Sequence, residues 1–92
     1  MMISGNIALG QSTGKIKVSG IVSDGTGEPV PGASVIVIGT MTGTITDENG
    51  AYVIERVDSA AELSIDFLGY KTAKVAINGR GVINVILEND AM

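Results

Sequence analysis

The sequence predicts an all-β domain, a sandwich of two sheets built from seven strands, on three observations. Of 92 residues 13 are Gly and only 17% are charged, a turn-rich, weakly charged composition that leaves no long Gly-free run for a helical bundle. From Ile16 onward apolar residues recur at every second position in short bursts separated by Gly, Asp, Asn and Pro, which is the period of a half-buried strand. The bursts number seven, at a spacing that suits two packed sheets. The length fits one domain, and with one Phe, two Tyr and no Trp its core has to be aliphatic.

The bursts are 16–23, 33–38, 43–46, 51–57, 62–68, 70–77 and 82–87. Alternation turns Ile16, Val18 and Val22 inward in the first and Ala33, Val35 and Val37 in the second. Tyr52 and Ile54 follow in the fourth, Leu63, Ile65 and Phe67 in the fifth, Val75 and Ile77 in the sixth, and Ile83, Val85 and Leu87 in the seventh. The opposite phase carries Lys17, Ser19, Glu55, Ser64, Asp66, Lys74 and Asn84, as expected of a solvated sheet surface. Ile21, Ile36 and Ile38 break that rule, because all three fall on the outward phase. Two readings follow: they form an apolar patch for contact with another chain or domain, or a loop or the N-terminal segment covers them.

A doubled pattern, Ser/Thr-Gly-x-Val/Ile-Ser/Thr-Asp-x-x-Gly, spans 19–27 and again 42–50. In each copy a strand runs into a turn led by Asp24 or Asp47, whose carboxylate can accept a backbone hydrogen bond two residues on, and ended by Gly27 or Gly50, which supplies positive φ. After Asp47 a strand resumes at once, so this copy reads as a hairpin with Asn49-Gly50 at positive φ. After Asp24 comes Pro29-Val30-Pro31-Gly32. Two prolines in three residues remove backbone donors, and the segment reads as an extended crossover between sheets. Leu68-Gly69-Tyr70 and Asn78-Gly79 mark the remaining corners.

The net charge is −4, and the six basic residues Lys15, Lys17, Arg56, Lys71, Lys74 and Arg80 form no cluster along the chain and have no interleaved aromatics. Nucleic-acid binding is not expected. With no His and no Cys, nucleophile–base pairs built on imidazole or thiolate cannot be assembled. The acids fall in expected turns or on outward strand positions, so a catalytic carboxylate pair is not expected either. Asp47-Glu48-Asn49-Gly50 copies only the opening of a calcium loop, since Ala51, Val53 and Arg56 stand where further ligands are wanted. Gly25-x-Gly27 and Gly79-x-Gly81 open no helix that could hold a phosphate. Tyr70 is the one ring plausible at the surface for carbohydrate, and a Tyr at a strand corner more often packs. No enzyme activity, metal or cofactor is expected.

Taken together, 18–24, 27–35, Gly39-Thr40-x-x-Gly43-Thr44-x-Thr46-Asp47-x-x-Gly50-x-Tyr52 and Phe67-Leu68-Gly69-Tyr70-Lys71 resemble the carboxypeptidase-regulatory-like domain. The form with Gly69-Tyr70-Lys71-Thr72 and a closing Asn84-Val85-Ile86-Leu87-Glu88 is most similar to the N-terminal extension of SusC-like TonB-dependent outer-membrane transporters of Bacteroidetes. The resemblance implies a transthyretin-like sandwich of Greek-key type. It also implies a periplasmic, non-enzymatic accessory domain in a nutrient transporter, with a glycan as the nutrient and the plug, the barrel or a TonB-type energiser as protein partner. Nothing catalytic is carried over: Asp24, Gly27, Pro29, Pro31, Gly32, Asp47, Gly50 and Gly69 are structural turn positions. At Ile38 the family often tolerates a charge, so an isoleucine there adds to the expectation of an apolar contact. The alternative is a structural or adhesion spacer of another extracellular protein, such as the accessory domain of a carboxypeptidase. The expected organisation is a leader or signal-peptide remnant over 1–14, where Ala8-Leu9-Gly10 before Gln11 has the small-x-small form of a signal-peptide end, a folded domain over 15–90, and a linker starting at 91–92.

Overall fold

The computed structural model describes residues 14–90. The expected leader, but for Gly14, and the expected linker at 91–92 lie outside the described residues. Seven strands are seen among the described residues: β1 (Lys15–Asp24), β2 (Ser34–Val37), β3 (Gly43–Ile45), β4 (Ala51–Asp58), β5 (Glu62–Asp66), β6 (Ala73–Ala76) and β7 (Val85–Leu87). They form a three-stranded sheet in the order β4-β1-β7 and a four-stranded sheet in the order β3-β2-β5-β6. All pairings are antiparallel except β1 with β7, where Val22, Ser23 and Asp24 lie beside Val85, Ile86 and Leu87 in parallel. This is the two-sheet sandwich expected from period and punctuation.

The core is the product of that alternation. Val18, Val22, Ala33, Val35, Val37, Tyr52, Ile54, Leu63, Ile65, Ile77, Ile83, Val85 and Leu87 are buried, while Ile16, Phe67 and Val75 pack on the cluster from its margin. Between Val18 and Val22 the inward position is Gly20, which pairs directly with Tyr52. A Cβ there would lie 1.8 Å from the Ile83 carbonyl oxygen and 3.1 Å from the Tyr52 ring. The missing side chain is therefore replaced by the ring of Tyr52, whose hydroxyl donates to the Ile83 carbonyl at 2.6 Å.

Three buried residues were not expected in the core. Val57 enters it because β4 carries an extra residue between the pairs Val18–Ile54 and Ile16–Val57, and such a bulge reverses the inward phase. Val30 is buried from within the Pro-rich crossover, and Thr46 is the buried polar residue of the chain's described part. The Thr46 hydroxyl accepts from the Ala33 N–H at 2.8 Å and donates to the Val30 carbonyl at 2.7 Å, which ties the crossover to the start of β2.

Both copies of the doubled pattern build the same turn. Asp24 Oδ1 accepts from the N–H of Thr26 (2.9 Å) and of Glu28 (3.1 Å), and Asp47 Oδ1 from Asn49 (2.8 Å) and Ala51 (2.9 Å). Gly27 and Gly50 donate to the two Asp carbonyls at 3.0 and 2.9 Å, with φ of 89° and 75°. The hairpin expected after Asp47 is corrected: β3 pairs with β2 and β4 with β1, so this turn is a corner between sheets. Nor does Asn49 take positive φ; outside glycine, Arg56 and Asn78 do. The segment after Asp24 also changes sheets, as expected, after one isolated bridge from Pro29 to Ser23.

Candidate functional site

The sequence left the outward isoleucines as the candidate surface, and the structure does not bring them together. All three are exposed, yet Ile21 lies on β1 in the three-stranded sheet whereas Ile36 lies on β2 in the other. The single patch is therefore corrected to separate surfaces. Ile36 is joined by Met41 and Ile45, residues that alternation did not single out, and with Gly43 and Thr44 they line a shallow depression of about 260 Å³. Its geometry follows from register, since Ile36 pairs with Gly43 and Ser34 with Ile45. Gly43 leaves room for the Ile36 side chain, whose Cδ1 would sit 2.5 Å from a Cβ at that position. Ile38 falls beyond the end of β2 and lines a different cleft, beside β4. Ile21 shares its outer face with Val53 and Ile86, both exposed.

The turn residues lie where their chemistry places them. The Thr26 hydroxyl donates to Asp24 Oδ1 at 2.7 Å, and this bond, backed by the Thr26 N–H, holds the Asp24 carboxyl below its ordinary value of 3.8. Gly32, at φ 81°, donates to the Thr46 carbonyl at 3.0 Å, beside exposed Pro31. Gly69, at φ 92°, precedes Tyr70, which bridges to Asn89. Lys71 N–H donates to the Glu88 carbonyl at 2.8 Å and Asp90 N–H to the Gly69 carbonyl at 3.0 Å. The two sheets are thus laced together at the end of the chain. Tyr70 packs against the core margin with its ring 6.1 Å from that of Phe67.

Among the described residues no three acids gather where they could hold a metal ion, and no helix is long and apolar enough to cross a membrane. Burial pushes the Tyr52 phenol above its ordinary value of 10.0, opposed by the Arg80 charge, and its hydroxyl is spent on the Ile83 carbonyl.

A family model for the CarboxypepD_reg-like domain matches residues 18–92. The chain belongs to that family. Similar proteins include the TonB-dependent receptor SusC of Bacteroides thetaiotaomicron, 42% identical over 76 residues that make up 83% of this chain and 7% of that protein. The TonB-dependent receptor P39 of Formosa agariphila is 32% identical over 88 residues, 96% of this chain and 8% of the receptor. The CarboxypepD_reg-like chain thus spans less than a tenth of the length of the curated relatives it matches. Among solved structures, a chain in a type II cohesin–X–dockerin complex from Acetivibrio cellulolyticus, an N-terminal interface mutant, superposes with a TM-score of 0.66 at 22% identity, covering 80% of this chain and 58% of that one. A C-terminal interface mutant of the same type of complex gives 0.63 at 22% identity, over 78% and 56%. At that identity the likeness describes the fold alone.

Proposed function

We propose that this domain is a non-catalytic periplasmic accessory module of a TonB-dependent outer-membrane transporter, one that imports a nutrient of the glycan class, and that it docks on the rest of its own receptor through the face of Ile36, Met41 and Ile45. The observation that carries the reading is the match of most of this chain to a small part of receptors more than ten times its length. In such a protein the domain works beside a partner to which it is covalently tied. The surface suits that arrangement. Three apolar side chains offer a few hundred square ångströms, about the largest patch on an ordinary monomer and below the roughly 800 Å² per partner of a stable free-standing complex. A contact this small is sufficient where a tether supplies the effective concentration.

The test is an NMR titration of the ¹⁵N-labelled chain with the purified remainder of the receptor and, separately, with the periplasmic part of TonB. Shifts confined to Ile36, Met41, Gly43 and Ile45 with the receptor, abolished by Ile36→Lys, are expected. Absence of shifts with the receptor would refute docking on that face, and shifts with TonB alone would move the contact to the energiser.

A further inference from the structure

The bulge in β4 sets an arginine where the backbone disfavours one. Arg56 has φ 59°, in the left-handed region that costs a side chain without a short local acceptor. The other such residue, Asn78, is of the type that tolerates it. A bulge on an edge strand guards against edge-to-edge pairing, but glycine or asparagine would make the same bulge with less strain. Edge protection thus explains the bulge and leaves the arginine unexplained.

Arg56 lines a cleft of about 270 Å³ that runs between β4 and the turn after β2, and Lys15, from the start of β1, lines it too. The sequence places these two cations far apart, and the fold brings them to one opening. Among the described residues neither forms an ion pair; the pair seen is Lys71 with Glu88. The one carboxylate in the lining, Asp58, has its Oδ1 engaged by the Ala60 N–H at 2.8 Å. The Thr40 hydroxyl is spent as well, donating to the Val37 carbonyl and accepting from the Thr42 N–H. Asp58 keeps its negative charge and stands opposite Lys15 in the β1–β4 register, so the lining carries two cations and one anion beside Ile38, which is 39% exposed, while Val37 and Val57 in its floor are buried. This excess of positive charge stands out on a chain of net charge −4.

We propose that this cleft binds a carboxylate-bearing peptide segment. Arg56 takes the acidic side chain with its planar fork, Lys15 adds charge alongside, and an aliphatic neighbour in the peptide rests on the exposed Ile38. An acidic sugar would present the same carboxylate, but the lining holds no aromatic ring on which a sugar face could stack. The site is separate from the face of Ile36, and its test does not depend on membership of a transporter.

The experiment uses the ¹⁵N-labelled 92-residue chain and three probes: the capped peptide acetyl-Leu-Glu-Leu-Glu-amide, its Gln counterpart, and trigalacturonate. Saturable shifts at Ile38, Thr40, Thr42 and Val57 with the Glu peptide are expected, at least tenfold weaker with the Gln peptide. Arg56→Gly should raise the melting temperature, because glycine relieves the strain, while lowering affinity for the Glu peptide at least tenfold. A stabilised variant that stops binding separates a binding role from a structural one. Unchanged binding by Arg56→Gly, a fall in its melting temperature, equal binding of the Gln peptide, or binding of trigalacturonate without the peptide would each overturn the proposal.

Discussion

Tyr52→Phe isolates a single buried hydrogen bond and reads it in two ways. The ring fills the space over Gly20 with its residue 3% exposed, and phenylalanine keeps that volume while the Ile83 carbonyl loses the hydroxyl donor at 2.6 Å. Removing one partner of a buried pair costs about 1–3 kcal/mol. For a domain of this size each kcal/mol moves the melting temperature by roughly 4–8 °C, so a fall of about 10 °C at pH 7 is expected in thermal unfolding followed by circular dichroism. The second reading is the alkaline limb. Burial raises the Tyr52 pKa in the folded state above 10.0, so between the unfolded and folded pKa values the native chain binds more protons and stability falls as pH rises. Phenylalanine lacks that loss. The gap between wild type and variant should therefore narrow as pH climbs past 10 and stay constant below 9. Equal stability at pH 7 would show that the hydroxyl contributes nothing to the fold, and a gap that is flat through pH 11 would show that burial does not hold its proton in the folded state.

Three further outcomes follow from the geometry. Gly20→Ala places a Cβ 1.8 Å from the Ile83 carbonyl oxygen, a backbone clash with no soft neighbour to yield, and a loss above about 3 kcal/mol is expected; retention of a cooperative unfolding transition near the wild-type midpoint would contradict it. Thr46→Val leaves the Ala33 N–H and the Val30 carbonyl unpaired, with an expected cost of about 2–3 kcal/mol in urea unfolding, whereas Thr46→Ser keeps the hydroxyl and should lose far less. Asp24→Ala should lower stability at neutral pH. Because the Asp24 carboxyl is held below its ordinary value by Thr26, that contribution is present above the unfolded pKa and is lost as pH falls through the folded one, so the two chains should converge in acid melts.

Strand positions and inward faces were legible because a half-buried strand repeats every two residues and the chain obeys that period almost everywhere. It fails at Val57, where the extra residue of β4 reverses the phase; bulges are signalled in sequence by glycine, and here the left-handed residue is Arg56. Turn chemistry was legible in the Asp24 and Asp47 carboxylate bonds and in the positive φ of Gly27 and Gly50, but not at Asn49, which does not take positive φ. Sheet membership was not: the turns at Asp24 and Asp47 are locally alike, and only distant pairings, Val35 with Ile65 for β2 and Tyr52 with Gly20 for β4, decide which sheet the next strand joins. The same limit governs the surface. Ile21 and Ile36 share an outward phase and lie on different sheets, while Met41 and Ile45 complete the patch from a turn and a three-residue strand too short to show a period. Lys15 and Arg56 meet only because β1 and β4 pair.

The parallel seating of β7 beside β1 gives the domain a mechanical character. The chain enters at Lys15, reaches the far end of β1 at Asp24, and leaves from that same far end past Leu87. Tension applied between the two ends of the domain therefore pulls β1 and β7 along their length, loading their hydrogen bonds together, while the lacing of Glu88 and Asp90 to Lys71 and Gly69 shares the load with the second sheet. Peeling would require a pull across the strands. Under an axial pull the domain is a stiff link whose survival is set by its unfolding rate and not by its equilibrium stability.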